Sequence, residues 1–384
     1  MTVNPAPLSP AYVRATPFHT RAAAANEGND WVARNGATLA RQYADARDEA
    51  LAARFRVGLI DISWRWRLML EGTRAAECLS QVMTRDVSAL APGEALKALW
   101  LGDDGRVRGA GVAARFGKER FVLISAQSDA PWIEAAARRF AVAVCQISEA
   151  EGGLALVGPY AAATLERAGL DSALDPGRFR KLFWRGQEVT LSRFGEHGGY
   201  EIWCAADDGI LLWDRLMRAG EPFGIEPLGM IAADALDLET GIARPGRDWR
   251  SPQPGRNHGF SPLALGLESL IDENHTLFNG RAMWLAGRDG ETRRLAGIQI
   301  DGETPAPHTP LMRSGAAIGQ TLSSAYSPAL RRAIALALVD VSAAAPGTEL
   351  KLTLSPSLEV PEFREAAVRV TALPFLPAPE PAVL

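Results

Sequence analysis

The sequence predicts an α+β protein that carries a β-barrel at its C-terminal end. Residues 57–139 follow the order β-α-β-β-β-α, which favours helices packed on one face of an antiparallel sheet. A similar order recurs from residue 153. After residue 292 the chain consists of short strand-like runs, a pattern typical of a small barrel. Since single cores stop growing at roughly 250–300 residues, we expect the 384-residue chain to form two or three domains.

Hydrophobic spacing and chain breakers predict the elements of the first unit. Residues 32–56 are rich in Ala, Arg and Glu and predict a helix. Residues 57–63 form an apolar run typical of a buried strand. Residues 64–70 alternate as a strand with one inward face, on which Trp64 and Trp66 point the same way. The other predicted elements are a helix at 73–83, strands at 95–101, 107–114 and 120–125, and a helix at 131–139.

The second unit and the barrel follow from the same signals. The second unit is predicted to contain strands at 154–157, 188–194 and 200–205 and helices at 160–168, 209–219 and 227–240. Residues 245–262 are dense in Pro, Gly and Arg and predict a long loop, which in compact domains is usually functional or mobile. The barrel strands are predicted at 294–300, 310–312, 317–323, 333–339, 350–354 and 366–373.

Composition excludes several classes of function. The formal charge is −4 with both signs interspersed, so we expect no nucleic-acid partner. No apolar run reaches about 18 residues, so no membrane span is expected. The N-terminus lacks a basic start and an apolar segment, which predicts a cytoplasmic location. The three Cys and five His do not follow metal-ligand spacing, so no metal site is expected.

The most informative stretch is the glycine-laced turn at residues 193–202, which delivers a carboxylate onto the start of an apolar strand. Gly195, Gly198 and Gly199 permit backbone angles closed to other residues and let a ring approach closely. Glu201, if buried beside Tyr200, needs a hydrogen-bond donor, which an N–H-rich heterocycle would supply. An ordinary hairpin with a solvated Glu201 is the alternative at this point.

Three blocks of sequence together resemble the glycine cleavage T-protein family of folate-dependent aminomethyltransferases, including relatives that demethylate sulfonium compounds and aryl methyl ethers. The first block is Gly58-Leu-Ile-Asp-Ile-Ser63 with residues 70–72 and 84–87. The second is Gly199-Tyr-Glu-Ile202 with residues 236–241. The third is residues 323–330, followed by 334–337 and 373–375. The resemblance covers residues 16–375, and the combination of blocks is more specific than any block alone.

The resemblance implies a three-domain cloverleaf around a central opening that binds tetrahydrofolate. It implies a discontinuous folate-binding domain at 1–55 and 147–285, a second α+β domain at 56–146 and a barrel domain at 286–384. In that family the Glu of the Gly-Tyr-Glu-Ile motif hydrogen-bonds the pterin ring, which assigns this role to Glu201, with Tyr200 and Gly199 close by. Flat aromatic walls for the ring are expected from Trp100 and Trp249.

The departures from the family pattern concern ligand-facing positions. The family carries an Asp pair after the hairpin glycines, whereas residues 105–111 hold none, and Asp103 and Asp104 are out of register. Lys97 stands where a Tyr is expected, and Ala233 where an Arg is expected. These losses favour methyl transfer to tetrahydrofolate from a small N-, S- or O-methylated compound, because alignment alone can supply much of the barrier lowering in an in-line displacement.

Several further residues are candidates for the site. A sulfonium donor needs no acid because its leaving group departs neutral, whereas an ether donor needs one, for which Tyr200, His197 and Asp248 are the candidates. Arg244 and Arg247 are candidates to clamp an anionic substrate or the folate tail, unless they are solvated arginines of a surface loop. Trp64 and Trp66 are candidates to hold a methyl-bearing cation, unless they face the core. These candidate residues are Tyr200, His197, Asp248, Arg244, Arg247, Trp64 and Trp66.

Two alternatives to a demethylase remain at the level of sequence. The first is a folate-binding protein without turnover, such as a sensor or the subunit partner of an amine dehydrogenase. The second is an aminomethyltransferase with a relocated acid. The second alternative requires a carboxylate that reaches the folate amine, and Asp237 is the candidate.

Overall fold

The computed structural model describes residues 13–195, 198–252, 259–355 and 362–377, and confirms the predicted fold class. Two mixed layers of sheet and helix are followed by a closed six-stranded barrel. Within the described ranges, no helix is both long enough and apolar enough to cross a bilayer. His197 lies outside the described residues.

The first sheet has six strands, and Val57–Asp61 lies near one edge of it. All neighbours are antiparallel except the last pair, Val57–Asp61 and Ile225–Leu228, which run parallel. Helices Ala161–Ala168 and Gly209–Gly220 cover one face, and helices Ala46–Phe55 and Met230–Glu239 cover the other. The strands, in spatial order, are Phe179–Trp184, Gln187–Ser192, Tyr200–Ala205, Glu151–Val157, Val57–Asp61 and Ile225–Leu228.

The predicted helix at 32–56 is wrong in its first half. A hairpin of strands Trp31–Arg34 and Ala37–Ala40 occupies that part, joined by Asn35 and Gly36 with φ of 49° and 74°. An Asn-Gly pair of positive φ is the strongest short-range hairpin signal and overrides the composition of the segment. Strand Arg14–Ala15 completes this three-stranded sheet, and helix His19–Ala25 packs nearby. The helix then begins at Ala46, where the Asp45 side chain accepts hydrogen bonds from two backbone N–H groups.

The second sheet has five antiparallel strands covered by two helices. Helices Ala75–Val82 and Ala130–Arg138 pack on one face around Leu70, Leu79 and Phe121. The single strand predicted at 64–70 begins instead at Trp66, because the N–H of Arg65 donates to the carbonyl of Ile62 and closes a turn. Trp64 and Trp66 therefore do not alternate on one strand. The strands, in spatial order, are Ala95–Leu101, Val107–Arg115, Arg120–Ser125, Trp66–Glu71 and Ala143–Gln146.

Sheet pairing and packing differ from the expected domain limits in two places. Strand Val57–Asp61, which a boundary at residue 56 assigns to the second unit, pairs with two strands of the first sheet. Phe278 and Trp284, in the segment that ends with helix Arg281–Gly287, pack against Leu99 and Leu101 of the second sheet. Strand Val57–Asp61 thus belongs to the first sheet, and Phe278 and Trp284 share a core with the second sheet.

The barrel is closed, and one of its strands is apolar on both faces. In strand Arg332–Asp340, alternate residues such as Ala335 and Val339 fill the barrel interior. Ile334 and Leu336 of the same strand point outwards and pack against Leu238 of helix Met230–Glu239. The barrel thereby holds this helix against the first sheet. The strands, in spatial order, are Arg293–Ile300, Arg332–Asp340, Ala316–Ser327, Pro310–Arg313, Glu349–Leu354 and Arg364–Thr371.

Candidate functional site

A cavity of about 340 Å³ lies between the two sheet domains, next to a smaller recess at the first sheet. The hairpin of the second sheet, helix Met230–Glu239 and the loop at 242–247 line the cavity. Glu201, Gly199 and Ala233 line the recess. The recess and the cavity adjoin, since both are lined by Arg34, Trp64, Arg65 and Asp237.

Glu201 is the buried carboxylate of the recess, with an exposed fraction of 1%. Its Oε1 lies 2.5 Å from Nη1 of Arg65, and the indole N–H of Trp203 donates to Oε2 at 3.5 Å. A Cβ on Gly199 would lie 2.2 Å from the carbonyl oxygen of Leu156, so this position excludes any side chain. Glu201 is therefore not the solvated hairpin residue that the sequence left open.

A stacked pair of side chains lies behind Glu201. The guanidinium of Arg67 lies 4.2 Å from the ring centroid of Trp203 and forms an ion pair with Glu151. Burial lowers the pKa of Arg67 and raises the pKa of Glu151, because both charged forms lose solvation. Trp203 thus stands between Glu201 and an ion pair of which the Arg67 side chain is buried.

Helix Met230–Glu239 brings two carboxylates to the cavity. Asp234 accepts two hydrogen bonds from Arg34, at 3.1 and 2.6 Å, and Arg34 also lies over the ring of Trp64 at 4.9 Å. Asp237 lies one turn further along, with its Oδ1 3.3 Å from Nη2 of Arg244. The two pairs join the helix to the hairpin at 31–40 and to the loop at 242–247.

Asp248 anchors the loop that bears the two arginines. Its carboxylate accepts a hydrogen bond from the backbone N–H of Arg244 at 2.6 Å and pairs with Arg247. The hydroxyl of Ser323, on the barrel, donates to the same carboxylate. Burial acts to lower the pKa of Arg247, but the combined attraction of Asp248, Asp237 and Asp234 outweighs it, so the pKa is raised. Asp248 thus fixes the cavity wall to the barrel.

The structure gathers some of the predicted site residues and separates others. Glu201, Tyr200 and Gly199 line the recess, Arg244 and Arg247 line the cavity, and Trp64 lines both. The ring of Tyr200 is part of the core, and its hydroxyl donates to the carbonyl of Ser172.

Three tryptophans lie apart from the two linings. Trp100 is buried in the second domain, where its indole N–H donates to Asp129 at 3.0 Å. Trp249 packs in the core next to Trp284. Trp66 begins a strand outside both linings. Trp100 and Trp249 therefore do not form walls of the cavity, because each fills a core of its own.

Sequence reasoning missed Arg34 and Arg65. Arg34 precedes the Asn35-Gly36 turn, so recognition of that hairpin would have exposed it as a candidate. Arg65 follows a turn at the end of a buried strand and meets Glu201 across 136 residues of sequence. Nothing local in the sequence indicates that contact.

The carboxylate of Glu201 suits a planar group with two adjacent N–H donors. A carboxylate offers about four acceptor positions, and Arg65 and Trp203 engage Glu201 without exhausting them. Gly195 and Gly199 line the recess beside the carboxylate, and the recess adjoins the larger cavity. Two parallel N–H···O bonds to a carboxylate are specific for planar groups.

Comparison with known proteins agrees with this geometry. A family model described as "GCVT N-terminal domain" matches residues 19–272, and a second, "Glycine cleavage T-protein C-terminal barrel domain", matches residues 293–376. An aminomethyltransferase of Frankia alni is 34% identical over 300 residues, which cover 76% of this chain and 80% of that protein. An aminomethyltransferase of Halothermothrix orenii is 28% identical over 353 residues, covering 89% and 94%.

A solved structure has the same fold. The glycine cleavage system aminomethyltransferase T from Bartonella henselae superposes with a TM-score of 0.84 at 24% identity, covering 96% of this chain and all of that one. At that identity the likeness concerns the fold alone.

Proposed function

The chain belongs to the glycine cleavage T-protein family, and we propose that it transfers a one-carbon unit to tetrahydrofolate held by Glu201. Tetrahydrofolate is the cofactor of this family. The observation that carries the proposal is the buried Glu201 carboxylate, which closes a glycine-lined recess beside a cavity large enough for a substrate.

The residues of the recess have distinct roles in this proposal. Tetrahydrofolate, when bound, supplies the amine nitrogen that receives the one-carbon unit. Glu201 accepts two N–H bonds from the ring edge, while Arg65 and Trp203 hold the carboxylate in place. Gly195 packs against Glu201, and Gly199 packs against the carbonyl of Leu156. Binding and alignment by these residues supply the proximity that transfer requires.

The charge of the cavity suits an anionic ligand. Cationic side chains outnumber carboxylates along its lining, which favours the acidic tail of a folate or an acidic substrate. The carboxylates of this lining are Asp234 and Asp237, and its cationic side chains are Arg34, Arg65, Lys97, Arg244 and Arg247.

Two donor chemistries remain within this function. The curated relatives are named aminomethyltransferase, which supports a donor whose one-carbon unit is attached to an amine. The apolar wall formed by Ala98, Ala110, Gly111 and Ile124 supports the alternative, methyl transfer from an S- or O-methylated compound. A folate-binding protein without turnover is distinguished from both by the absence of any product.

Binding of tetrahydrofolate to matched variants tests the proposal. Glu201→Gln replaces the acceptor with an isosteric amide, and Glu134→Gln makes the same change at an exposed helix position as the control. Hydrogen bonds to a charged group contribute about 1.5–3 kcal/mol, so we expect the dissociation constant to rise roughly 10- to 150-fold in Glu201→Gln and to stay unchanged in the control. Wild-type protein that does not bind tetrahydrofolate, measured by anaerobic equilibrium dialysis, rejects the proposal.

A further inference from the structure

A separate cavity of about 380 Å³ lies between the first and second sheets, on the other side of Trp203 from Glu201. Trp203 lines this second cavity together with Arg67, whose guanidinium stacks on the indole ring. Among the described residues, none lines both the second cavity and either the recess or the cavity next to the recess. The second cavity is therefore distinct from the space proposed for tetrahydrofolate.

Strand alternation places Arg67 at the inner wall of the second cavity. Leu68 and Leu70 pack against the helices of the second sheet, so Arg67 and Met69 lie on the opposite face, towards the first sheet. The side chain of Arg67 is only 2% exposed. An arginine is almost never fully buried unless it is paired, so the partners of Arg67 decide what this position can bind.

The hydrogen-bonding capacity of Arg67 is incompletely used. Its guanidinium forms an ion pair with Glu151, yet its Nε and Nη1 atoms are buried without a well-directed hydrogen bond to any described residue. Oε2 of Glu151 is buried in the same condition. Because leaving buried polar atoms unpaired is unfavourable, a ligand that supplies both an acceptor and a donor would be stabilised here.

The charges of the second cavity are balanced, in contrast to those of the cavity next to the recess. Arg67 and Glu151 form the inner pair, whereas the pair of Lys181 with Glu188 is exposed at the rim. Equal numbers of both signs favour a zwitterion over a simple anion or cation. The cationic side chains of the lining are Arg67, Arg120 and Lys181, and its carboxylates are Glu151, Glu188 and Asp208.

One wall of the second cavity is apolar. Met69 and Val122 of the second sheet contribute to it, and Phe116 and Ile147 extend it. Apolar surface of this kind is stabilised when a ligand removes it from water. The ligand is thus expected to carry a short apolar group beside its charges.

We propose that the second cavity binds a small zwitterionic amino acid with an apolar side chain. The carboxylate of the ligand accepts hydrogen bonds from Arg67, and its ammonium group donates to Glu151. An α-amino acid carries its two charges on neighbouring groups, which matches a guanidinium and a carboxylate that are themselves in contact. The apolar side chain of the ligand packs against Met69 and Val122. This inference goes beyond the proposed function, since the binding requires no residue of the recess.

Calorimetric titration of the full chain, without tetrahydrofolate, tests the class of ligand. Leucine is compared with 4-methylpentanoate, which lacks the amine, with 3-methylbutylamine, which lacks the carboxylate, and with glycine, which lacks the apolar side chain. We expect a dissociation constant for leucine below about 1 mM. Each of the other three compounds should bind at least about tenfold more weakly, because each leaves a charged group unpaired or the apolar wall in water.

Two matched variants test where leucine binds. Ala205→Phe introduces a ring into the second cavity from an exposed strand position, and Ala143→Phe makes the same change at an exposed strand position outside it. We expect Ala205→Phe to weaken leucine binding at least about tenfold and Ala143→Phe to stay within about threefold of wild type.

A third variant tests the role of Glu151. Glu151→Gln removes the charge that binds the ammonium group and keeps the shape of the side chain. We expect this variant to lose most of the preference for leucine over 4-methylpentanoate, which a merely structural role of Glu151 would leave unchanged. Circular dichroism spectra equal to that of wild type establish that the variants are folded.

Several outcomes overturn the inference. They are a leucine dissociation constant above about 1 mM, equal affinity for leucine and its singly charged analogues, and undiminished leucine binding by folded Ala205→Phe. A wild-type preference for leucine in Glu151→Gln also overturns it, because the ammonium group would then bind elsewhere. Failure of the wild-type protein to bind tetrahydrofolate rejects the proposed function alone, since the leucine titration contains no folate.

Discussion

Arg65 and Glu201 form a 2.5 Å ion pair that joins the turn after the strand Val57–Asp61 to the start of the strand Tyr200–Ala205. The Glu201 side chain is 2% exposed and the Arg65 side chain 21%. The Glu201 carboxylate is therefore buried in the recess, whereas the Arg65 guanidinium is partly exposed at the cavity. It links ligand recognition to the stability of the first domain.

Removal of Arg65 is expected to destabilise the protein. Arg65→Met leaves the Glu201 carboxylate buried without its cation. Breaking a buried pair costs about 3–5 kcal/mol, and the partial exposure of Arg65 reduces this to about 1–3 kcal/mol of unfolding free energy. Urea denaturation measures the change. Arg120→Met breaks an exposed pair with Glu71 and should cost under about 1 kcal/mol. Equal losses in both variants contradict the prediction.

Gly109 is expected to tolerate no side chain. A Cβ at this position would lie 2.0 Å from the ring of Trp100, which is buried and hydrogen-bonded to Asp129. Overpacking of this kind costs about 1–3 kcal/mol or more, so Gly109→Ala should lower the melting temperature clearly. Gly117→Ala is the control, because the nearest atom to its Cβ lies at 3.9 Å. A melting temperature of Gly109→Ala equal to that of the control disproves the close approach.

The hydroxyl of Ser327 is expected to stabilise the contact between the barrel and helix Met230–Glu239. It donates to the buried carboxylate of Glu239 at 2.5 Å, and Arg54 binds the same carboxylate. Ser327→Ala removes one donor from a buried acceptor and should cost about 1–3 kcal/mol of unfolding free energy. Chemical denaturation measures it against Ser342→Ala at an exposed site. No difference between the two variants refutes this role.

The thiols are expected to differ in reactivity with pH. Burial raises the pKa of Cys78 to about 11 and that of Cys204 to about 12, whereas Cys145 is exposed. At pH 8 a thiol of pKa 11 is roughly 0.1% thiolate, so iodoacetamide should modify Cys145 first, as read by peptide mass spectrometry.

The same raised pKa values predict how stability depends on pH. A raised folded-state pKa means that the folded form binds the proton more tightly, so this contribution is complete below about pH 8.5 and is lost as the pH rises towards 11. Denaturation midpoints measured between pH 7 and 10.5 should fall at the alkaline end. Midpoints that hold constant, or labelling of Cys78 before Cys145, contradict the burial of these thiols.

Local patterns predicted the barrel, and the family resemblance singled out Glu201, but neither indicated which residues contact its carboxylate. Alternation and turn residues are properties of neighbours in sequence, so the barrel strands were located to within a few residues. The partner of Glu201 is set by packing of two segments 136 residues apart, which no window of sequence contains.

Two predictions from the sequence were wrong, each for a different physical reason. The Ala- and Arg-rich composition at 32–56 concealed the Asn35-Gly36 hairpin, since helix propensity is weaker than a turn that demands positive φ. Trp100 and Trp249 were expected beside the ligand because of their ring shape, but a large apolar ring serves a core equally well.

The outward face of strand Arg332–Asp340 makes the barrel and helix Met230–Glu239 interdependent. Ile334 and Leu336 pack against Leu238. A truncated chain that ends before residue 293 lacks both side chains and would expose Leu238 to solvent. The helix behind it also presents Asp234 and Asp237 to the ligand space. Deletion of the barrel would therefore destabilise the helix that carries Asp234 and Asp237, although the barrel is remote from the recess. The remaining fragment would expose apolar surface and would be prone to aggregate.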